Sequence, residues 1–404
     1  MFSRGLMIEL VREAAERIKK VASVTPVIYS SSLSKQFGFE SYLKLENLQK
    51  TGSFKARGAY YKISSLTDGE KAAGVIAASS GNHAQGVAWA SSLLGVRSLI
   101  VMPETTPIVK FVATKGYGGE VLFHGRTFFE AYSRAKELAA EKGLAFIHPF
   151  DDYQIMAGQG TIGLEILDAV PDVDTVVVPV GGGGLISGIA AAMKEERPDL
   201  TVIGVEAAAS NSCVESIKAG KPTEVAERPT IADGIAVKRV GEKTFEVIRE
   251  YVDRVVDVGE DSIAGAIVRL LERKKLIVEG AGAVPVAAAI EGKLPKSTRK
   301  VVFVLSGGNI DVTTLDRVIR LGLLREGRIL KLTTIIPDEP GSLARLTAEI
   351  AALKANILHV IHQREAVDVP VNSIRLEIIL EVEGREHSRS ILKALREKGY
   401  GIGG

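Results

Sequence analysis

The 404-residue chain has little cysteine, little net charge and no long uninterrupted apolar run. Its single cysteine, Cys213, cannot form an internal disulfide, which agrees with a reducing compartment. The formal net charge is +2 and Lys and Arg form no cluster, which argues against nucleic acid or an anionic membrane as a partner. No segment reaches the apolar length that a membrane-spanning helix requires.

Two further absences narrow the class of protein. Residues 1–6 lack the long apolar core of a signal peptide, so we expect a cytoplasmic protein. The histidines show no paired metal-ligand spacing with cysteine, which disfavours a zinc site. They are His83, His124, His148, His359, His362 and His387. The length suggests two or three domains with a large buried core.

A lysine and a distant glycine run together suggest a cofactor. Lys55 lies within residues 51–59 (TGSFKARGA), and residues 181–184 are all glycine. A lysine forms a Schiff base with a carbonyl when its neighbours lower its pKa, and the N–H groups of a glycine loop can surround a phosphate. The glycines join a predicted strand at 175–180 to a predicted helix from 185, whose N-terminus favours an anion. A phosphorylated aldehyde such as pyridoxal phosphate needs both features.

Six motifs occur in a fixed order between about residues 20 and 320. They are residues 46–55 (ENLQKTGSFK), 79–86 (SSGNHAQG), 158–161 (GQGT), the glycines at 181–184, 232–234 (ADG) and 306–309 (SGGN). This ordered set resembles the threonine dehydratases among the fold type II pyridoxal phosphate enzymes. The resemblance implies an α/β fold of the tryptophan synthase β type, with two open parallel sheets, and a homodimer or homotetramer.

The resemblance also implies the cofactor contacts. In that family the Schiff-base lysine falls on Lys55, Phe54 packs beside the cofactor and Asn82 forms a hydrogen bond with the phenolic oxygen of the ring. Ser306 falls on the residue that meets the pyridine nitrogen. A neutral hydroxyl there leaves the nitrogen unprotonated, which favours elimination over long-lived carbanion chemistry. The phosphate contacts fall on Gly181, Gly182, Gly183, Gly184 and Leu185.

A serine-rich loop resembles the family's cradle for the substrate carboxylate. It comprises Ser79, Ser80, Gly81, Asn82 and His83. Hydroxyls and helix N-terminal N–H groups converge there on an anion. Ser79 and Ser80 are also compatible with a plain helix cap, and His83 with a structural role. With Lys55 as the base that removes the α-proton, the resemblance implies deamination of threonine to 2-oxobutanoate and of serine to pyruvate, as in isoleucine biosynthesis.

Ser80 departs from the pattern of threonine dehydratases, which carry alanine at this position. Serine racemases and 3-hydroxyaspartate dehydratases carry serine there, as an acid or base on the opposite face of the substrate. A racemase or a 3-hydroxyaspartate ammonia-lyase is therefore an alternative on the same scaffold, and an amino acid sensor built on an inactive enzyme is an alternative of another class. A dinucleotide-binding oxidoreductase is disfavoured because the glycines lack Gly-x-Gly-x-x-Gly spacing.

The resemblance points to one candidate cation position. Related racemases bind a divalent ion through a glutamate, a backbone carbonyl four residues later and an aspartate six residues later. These positions fall on Glu206, Ser210 and Ser212. Only one carboxylate is present, so a monovalent cation or no ion is favoured over a divalent one.

Strand-like apolar runs alternate with amphipathic helices up to about residue 328, which predicts parallel α/β sheets. The predicted strands are 74–78, 96–102, 120–123, 144–147, 175–180, 201–205 and 300–305. The predicted helices are 8–23, 86–94, 127–142, 161–169, 185–197 and 261–274. We assign residues 1–328 to a catalytic domain, with a small subdomain inserted at about 56–152.

From residue 329 the pattern changes to βαββα with a very short final strand. Residues 329–404 resemble a ferredoxin-like (βαββαβ) ACT regulatory domain, whose Asp-x-Pro-Gly-x-Leu turn appears at residues 338–343. The resemblance implies an amino acid effector that contacts Asp338, Gly341, Ser342 and Leu343, and hence an allosteric enzyme. The same turn is also compatible with an ordinary helix N-terminus capped near Asp338.

Overall fold

The computed structural model describes residues 5–226, 228–364 and 369–403. The chain divides into two compact units, Met1–Asp311 and Val312–Gly404. Within the described residues, no helix has both the length and the apolar character needed to cross a membrane.

The strands are short and occur throughout both units. In chain order they are β1 (Val27–Tyr29), β2 (Glu40–Lys44), β3 (Val75–Ala78), β4 (Ser98–Met102), β5 (Glu120–Phe123), β6 (Ala145–Phe146), β7 (Thr175–Pro179), β8 (Thr201–Ala207), β9 (Arg254–Val258), β10 (Lys300–Val304), β11 (Ile329–Pro337), β12 (Asn356–Gln363), β13 (Ser373–Glu381) and β14 (Ile402–Gly403).

The helices connect these strands. They are α1 (Leu6–Ile18), α2 (Ser31–Phe37), α3 (Lys55–Ser64), α4 (Asp68–Ala73), α5 (Asn82–Leu93), α6 (Ile108–Gly116), α7 (Phe128–Lys142), α8 (Tyr153–Ala169), α9 (Gly184–Glu196), α10 (Ser212–Ala219), α11 (Glu242–Tyr251), α12 (Glu260–Lys274), α13 (Gly280–Ile290), α14 (Val312–Arg325), α15 (Ser342–Ala352) and α16 (Arg385–Glu397). Short 3₁₀ turns occur at Glu46–Leu48, Lys50–Gly52 and Asp233–Ile235.

Two sheets form the first unit. The larger has the strand order β1-β2-β10-β7-β8-β9, in which only β1 runs antiparallel to its neighbour. The smaller has the order β5-β4-β3-β6 and is parallel throughout. Parallel sheets need helical crossovers that cover their faces, as observed here. The predicted α/β fold with two open parallel sheets is confirmed.

Glycines bring three helices of this unit into close contact. A Cβ on Gly158 of α8 would lie 2.5 Å from the Cα of Gly58 in α3. A Cβ on Gly188 of α9 would lie 2.0 Å from the carbonyl oxygen of Met156 in α8. Only glycine allows backbones to approach this closely. The packing sets α3, which begins at Lys55, at a fixed distance from α9, which begins in the glycine run.

The second unit contains an antiparallel sheet with the strand order β12-β13-β11-β14. Alternate residues of β11 and β13 point into its core, which includes Leu332, Leu376 and Ile378, and α15 and α16 contribute Leu346 and Leu395. The order βαββαβ is that of the predicted ferredoxin-like domain, including the very short final strand.

The second unit begins before the domain boundary that we assigned after residue 328. It includes α14, whose C-terminal end bonds to the start of α16: Arg385 Nε and Nη2 donate to the carbonyl oxygen of Arg325 at 3.1 and 2.7 Å. Ser388 Oγ donates to the carbonyl oxygen of Gly327 at 2.8 Å. These bonds join residues about sixty positions apart in sequence, so periodicity along the chain does not reveal them.

Candidate active site

Lys55 lies at the first position of α3, and the residues before it are bound to the loop after β10. The Phe54 N–H donates to the carbonyl oxygen of Ser306 at 3.1 Å, and Ser53 forms an isolated antiparallel bridge with Gly307. The Lys55 ammonium nitrogen lies 5.1 Å from the centre of the Phe54 ring. Two motifs that are 250 residues apart in sequence therefore meet at Lys55.

The Lys55 side chain is held in a site that favours its neutral form. Its Nζ donates to the carbonyl oxygen of Pro149 at 2.7 Å. Burial lowers the pKa of Lys55 to about 8, and the carboxylate of Glu279 opposes that shift. This lowered pKa gives Lys55 a larger fraction of free amine at neutral pH than an ordinary lysine has, and the free amine is the nucleophilic and basic form.

The glycine loop joins β7 to α9 and presents free N–H groups. Gly183 has φ +93°, a conformation that favours glycine, and α9 begins at Gly184 with no capping side chain. The first N–H groups of a helix have no partner within the helix. Those of Gly184 and Leu185 therefore point, with the positive end of the helix dipole, towards any anion bound here.

The loop is anchored by the N-terminus of α11. Thr244 Oγ1 and the Gly241 N–H donate to the carbonyl oxygen of Gly182, at 2.7 and 3.3 Å. The Thr244 N–H in turn donates to Asp151 Oδ1 at 3.1 Å. These contacts fix the direction of the Gly182 peptide, and sequence reasoning had identified none of them.

Phe150 connects the glycine loop to Lys55. A Cβ on Gly182 would lie 2.2 Å from the Phe150 ring, so glycine is required where the ring packs. The preceding residue, Pro149, accepts the hydrogen bond from Lys55. The structure thus brings together the amine and the anion cradle that the sequence separates.

Asn82 begins α5 and lies between two other polar side chains. Its Oδ1 accepts from Asn309 Nδ2 at 2.9 Å, and its Nδ2 donates to Glu279 Oε1 at 2.8 Å. Asn309 Nδ2 also donates to the carbonyl oxygen of Thr51 at 2.7 Å. At Gly86, a Cβ would lie 3.1 Å from the Lys55 backbone, so α5 packs directly against the start of α3.

Glu279 is a site residue that the sequence analysis missed. Its side chain is buried, and burial, together with Asp233, raises its pKa to about 7. It precedes α13 but makes no capping bond to that helix, and instead reaches Asn82. The available signal was one acidic residue within the otherwise apolar segment 276–290.

The serine-rich loop connects β3 to α5 beside Asn82. Ser79 Oγ accepts from the Gly81 N–H at 3.2 Å, and the residue that precedes α5 is Gly81, with no capping side chain. His83 is buried, and its Nε2 bonds to the carbonyl oxygen of Ile147 at 2.9 Å. Burial lowers the pKa of His83 to about 3, so the ring is neutral. These contacts favour the structural role for His83.

At the candidate cation position, Glu206 and Ser210 form hydrogen bonds within the protein, and cation binding there stays a prediction. The buried Glu206 carboxylate accepts the N–H groups of Cys213 and Val214, each at 2.9 Å, at the start of α10. Burial raises the pKa of Glu206 to about 8. Ser210 Oγ donates to Val237 O at 3.3 Å, and Ser212 Oγ is buried. In the part of the chain that the structure describes, no group of three or more His, Cys, Asp or Glu side chains could hold a metal.

A buried charge network lies beneath the start of α3. Arg57 donates to both oxygens of Glu46, at 2.8 and 2.7 Å, and to both oxygens of Glu165, at 2.6 and 2.9 Å. Lys44 also contacts Glu165. Burial alone would raise the pKa of Glu46, but Arg57 holds it below its usual value. The sequence pattern alone indicates no role for these residues.

The predicted effector turn lies in the second unit, before α15. Gly341 has φ +89° and precedes the helix, which begins at Ser342. Ser342 Oγ accepts from Arg345 Nη2 at 3.0 Å, and Asp338 Oδ1 accepts from Arg364 Nη2 at 3.1 Å. Leu343 is partly exposed. The turn has the local geometry of a helix N-terminus, and its role as an effector site stays a prediction.

The chain is similar to known proteins over most of its length. The family described as "Pyridoxal-phosphate dependent enzyme" matches residues 18–307. An L-threonine ammonia-lyase of Thermotoga maritima is 47% identical over 397 residues, which cover 98% of this chain and 99% of that protein.

Two solved structures share the fold. The processed form of threonine deaminase isoform 2 from Solanum lycopersicum is 38% identical with a TM-score of 0.75, and the match covers 79% of this chain and 94% of that one. Serine racemase from Dictyostelium discoideum is 39% identical with a TM-score of 0.72, covering 76% and 99%.

Proposed function

The chain belongs to the family of pyridoxal-phosphate dependent enzymes, and we propose that it is an L-threonine ammonia-lyase. It converts L-threonine to 2-oxobutanoate and ammonia, and L-serine to pyruvate and ammonia. The proposal depends on one observation. The Lys55 amine has a lowered pKa and donates to the carbonyl oxygen of Pro149, and the next residue, Phe150, packs on the glycine loop. The near full-length similarity to an L-threonine ammonia-lyase supports the choice of substrate.

The residues present fit pyridoxal phosphate. The uncapped start of α9 at Gly184 and Leu185 suits the phosphate, and Lys55 suits the aldehyde. Asn82 has one side-chain N–H left for the ring oxygen after its bond to Glu279, and Ser306 is buried next to the backbone of Phe54. When bound, the cofactor supplies a carbonyl for the substrate amine and a ring that withdraws electrons from Cα.

The chain's own residues then carry out two tasks. The loop at Ser79, Ser80 and Gly81 binds the substrate carboxylate through backbone N–H groups at the start of α5. Lys55 Nζ, as the free amine, accepts the α-proton. The β-hydroxyl takes up one proton, which balances the α-proton that Lys55 removed, and leaves as water. The released enamine tautomerises to an imine, which water hydrolyses to the 2-oxo acid and ammonia.

A second candidate activity is racemisation of serine, because Ser80 is a hydroxyl that could act on the face opposite Lys55. The match to a serine racemase structure is consistent with this activity. We expect Ser80→Ala to keep L-threonine deamination within about threefold of wild type and to abolish any conversion of L-serine to D-serine, since one base suffices for elimination. Chiral analysis of the remaining serine measures the second activity.

The matched control for this substitution is Ser92→Ala, an exposed serine near the other end of α5. It should alter neither activity. Equal D-serine formation by the wild type and Ser80→Ala would remove Ser80 as a second base.

We further propose that the second unit is an ACT-type regulatory domain that binds an amino acid, in a cytoplasmic homodimer or homotetramer. Truncation after Asp311 should leave an active enzyme that no longer responds to an effector, since the first unit has its own core. In Gly341→Val, the strained φ should distort the turn and weaken the response without changing basal turnover. Activity is measured with isoleucine, valine, serine or threonine added.

Gly401→Ala is the control within the same unit, because open space surrounds that glycine. Its response should match the wild type. An effector that acts equally on the truncated chain would place the regulatory site in the first unit and contradict the regulatory proposal.

A further inference from the structure

We propose that Glu279 and Asn309 are positioning residues that lock the orientation of the Asn82 amide, so that Asn82 presents an N–H, and not its oxygen, to the ring oxygen of the bound cofactor. The inference deepens the proposed function and rests on it, because it requires the cofactor to bind beside Lys55. It concerns side chains that neither bind the aldehyde nor remove a proton.

The first half of the lock is Asn309, whose own orientation is set by the backbone. One Nδ2 hydrogen of Asn309 goes to the carbonyl oxygen of Thr51 at 2.7 Å and the other to Asn82 Oδ1 at 2.9 Å. A carbonyl oxygen can only accept, so Asn309 must direct its NH₂ group at both partners. Asn82 must then face Asn309 with its oxygen.

The second half is Glu279, which acts from the other side. In its ionised form the Glu279 carboxylate can only accept, and Asn82 Nδ2 donates to its Oε1 at 2.8 Å. This hydrogen bond lowers the pKa of Glu279, against the effect of burial, and so favours the ionised form. Reversal of the Asn82 amide would set two NH₂ groups against each other at Asn309 and two oxygens against each other at Glu279. Each half alone favours the observed orientation, and together they exclude the reversed one.

The observed orientation of the Asn82 amide leaves one N–H for the cofactor. The Asn82 NH₂ group has two hydrogens, and Glu279 uses one. The second hydrogen is left for the cofactor's ring oxygen, and an N–H donor there stabilises the ionised phenolate form of that oxygen. The reversed amide would present a lone pair to the same oxygen and repel it.

The fold holds Glu279 rigidly enough to perform this role. Its backbone N–H donates to the carbonyl oxygen of Gly307 at 3.0 Å. A Cβ on Gly307 would lie 2.4 Å from Glu279 Oε1, so the carboxylate packs directly on that glycine. The side chain is 5% exposed and lies at the N-terminus of α13, whose dipole favours a negative charge.

The test compares Glu279→Met, which has similar length but no acceptor, with Glu279→Gln, which keeps an acceptor oxygen. We expect Glu279→Met to bind pyridoxal phosphate about 10- to 100-fold more weakly, the usual effect of losing a hydrogen bond to a charged group. Its bound-cofactor absorbance should move from the longer-wavelength band of the ionised ring oxygen to the shorter-wavelength band of the protonated one. Glu279→Gln should restore both properties to within about threefold of wild type.

The measurements are a pyridoxal phosphate titration of each apoprotein and the absorbance spectrum of each loaded protein, with Trp89 fluorescence as the check of folding. Glu242→Met, an exposed glutamate at the start of α11, is the matched control and should behave as wild type. If Glu279→Met binds and absorbs as wild type, the inference is overturned.

If Glu279→Met does not fold, Asn309→Asp provides a second test of the inference. An aspartate can only accept, so it should draw the Asn82 NH₂ group towards itself and produce the same shift to shorter wavelength. An unshifted spectrum in this folded variant overturns the inference. If the wild-type protein binds no pyridoxal phosphate, the proposed function fails, and the inference fails with it. If the wild type binds the cofactor normally and the variants behave as the wild type does, the inference alone is overturned.

Discussion

Lys55→Ala should lose more than about a thousandfold in 2-oxobutanoate formation from L-threonine, because one side chain supplies both the cofactor attachment and the base for the α-proton. The variant should also lack the visible absorbance of the bound cofactor. The Lys55 side chain starts α3 and donates to the carbonyl oxygen of Pro149, and its removal leaves the apolar core intact, so Trp89 fluorescence should be unchanged.

The control is Lys50→Ala, an exposed lysine in the same motif, which should keep wild-type activity and absorbance. Keto-acid production is followed spectrophotometrically with purified protein and added pyridoxal phosphate. Wild-type turnover by Lys55→Ala would refute the assignment of this lysine and, with it, the mechanism.

Arg57→Met should lower the free energy of unfolding of the first unit by about 3–5 kcal/mol, the usual cost of breaking a buried ion pair by removing one partner. Arg57 is almost fully buried between Glu46 and Glu165, and its loss removes the ion-pair partner of the fully buried Glu46 carboxylate, whereas Glu165 is partly exposed. In this variant, Lys44 still forms its ion pair with Glu165. The network joins the turn before Lys55 to α3 and α8.

Urea unfolding of the apoprotein, followed by Trp89 fluorescence, measures this change in the first unit. Trp89 is the chain's single tryptophan and lies in α5 beside Tyr60 of α3, at a ring-centre distance of 6.1 Å. Arg134→Met, which breaks an exposed pair with Glu137 on α7, is the control and should leave unfolding unchanged. Adding Glu46→Gln to Arg57→Met should recover part of the lost free energy of unfolding, because it removes the unpaired buried charge. A decrease below about 1 kcal/mol in Arg57→Met would show that the network is not strongly stabilising.

Local pattern was sufficient to predict most of the strands, because a buried parallel strand is a continuous apolar run. The strand predicted at 175–180 is β7 (Thr175–Pro179), which is buried throughout. The missed strands β1, β2 and β9 are short or carry charged residues such as Lys44 and Arg254, which interrupt such runs. Their place in the sheet depends on neighbours that are distant in sequence.

Helix starts were predicted less accurately where glycines occur. The prediction begins the helix of α8 at residue 161, but the helix begins at Tyr153 and runs through Gly158 and Gly160. Helix α13 contains Gly280, Gly282 and Pro285 and was not predicted at all. Glycine and proline lower intrinsic helix propensity, but tight packing against neighbouring elements outweighs that local cost.

The sequence by itself determined the α/β class, the ferredoxin-like second unit and the amine and glycine loop of the candidate site. Local periodicity and motifs of residue types with specific chemistry indicate these features. Only the tertiary structure decided that Asn82, Glu279 and Asn309 meet, that Arg57 lies between two glutamates, and that His83 is a buried neutral side chain. Hydrogen bonding and desolvation depend on distances in space, and residues on different elements, such as Asn82 and Glu279 at 197 positions apart, acquire those distances only when the chain folds.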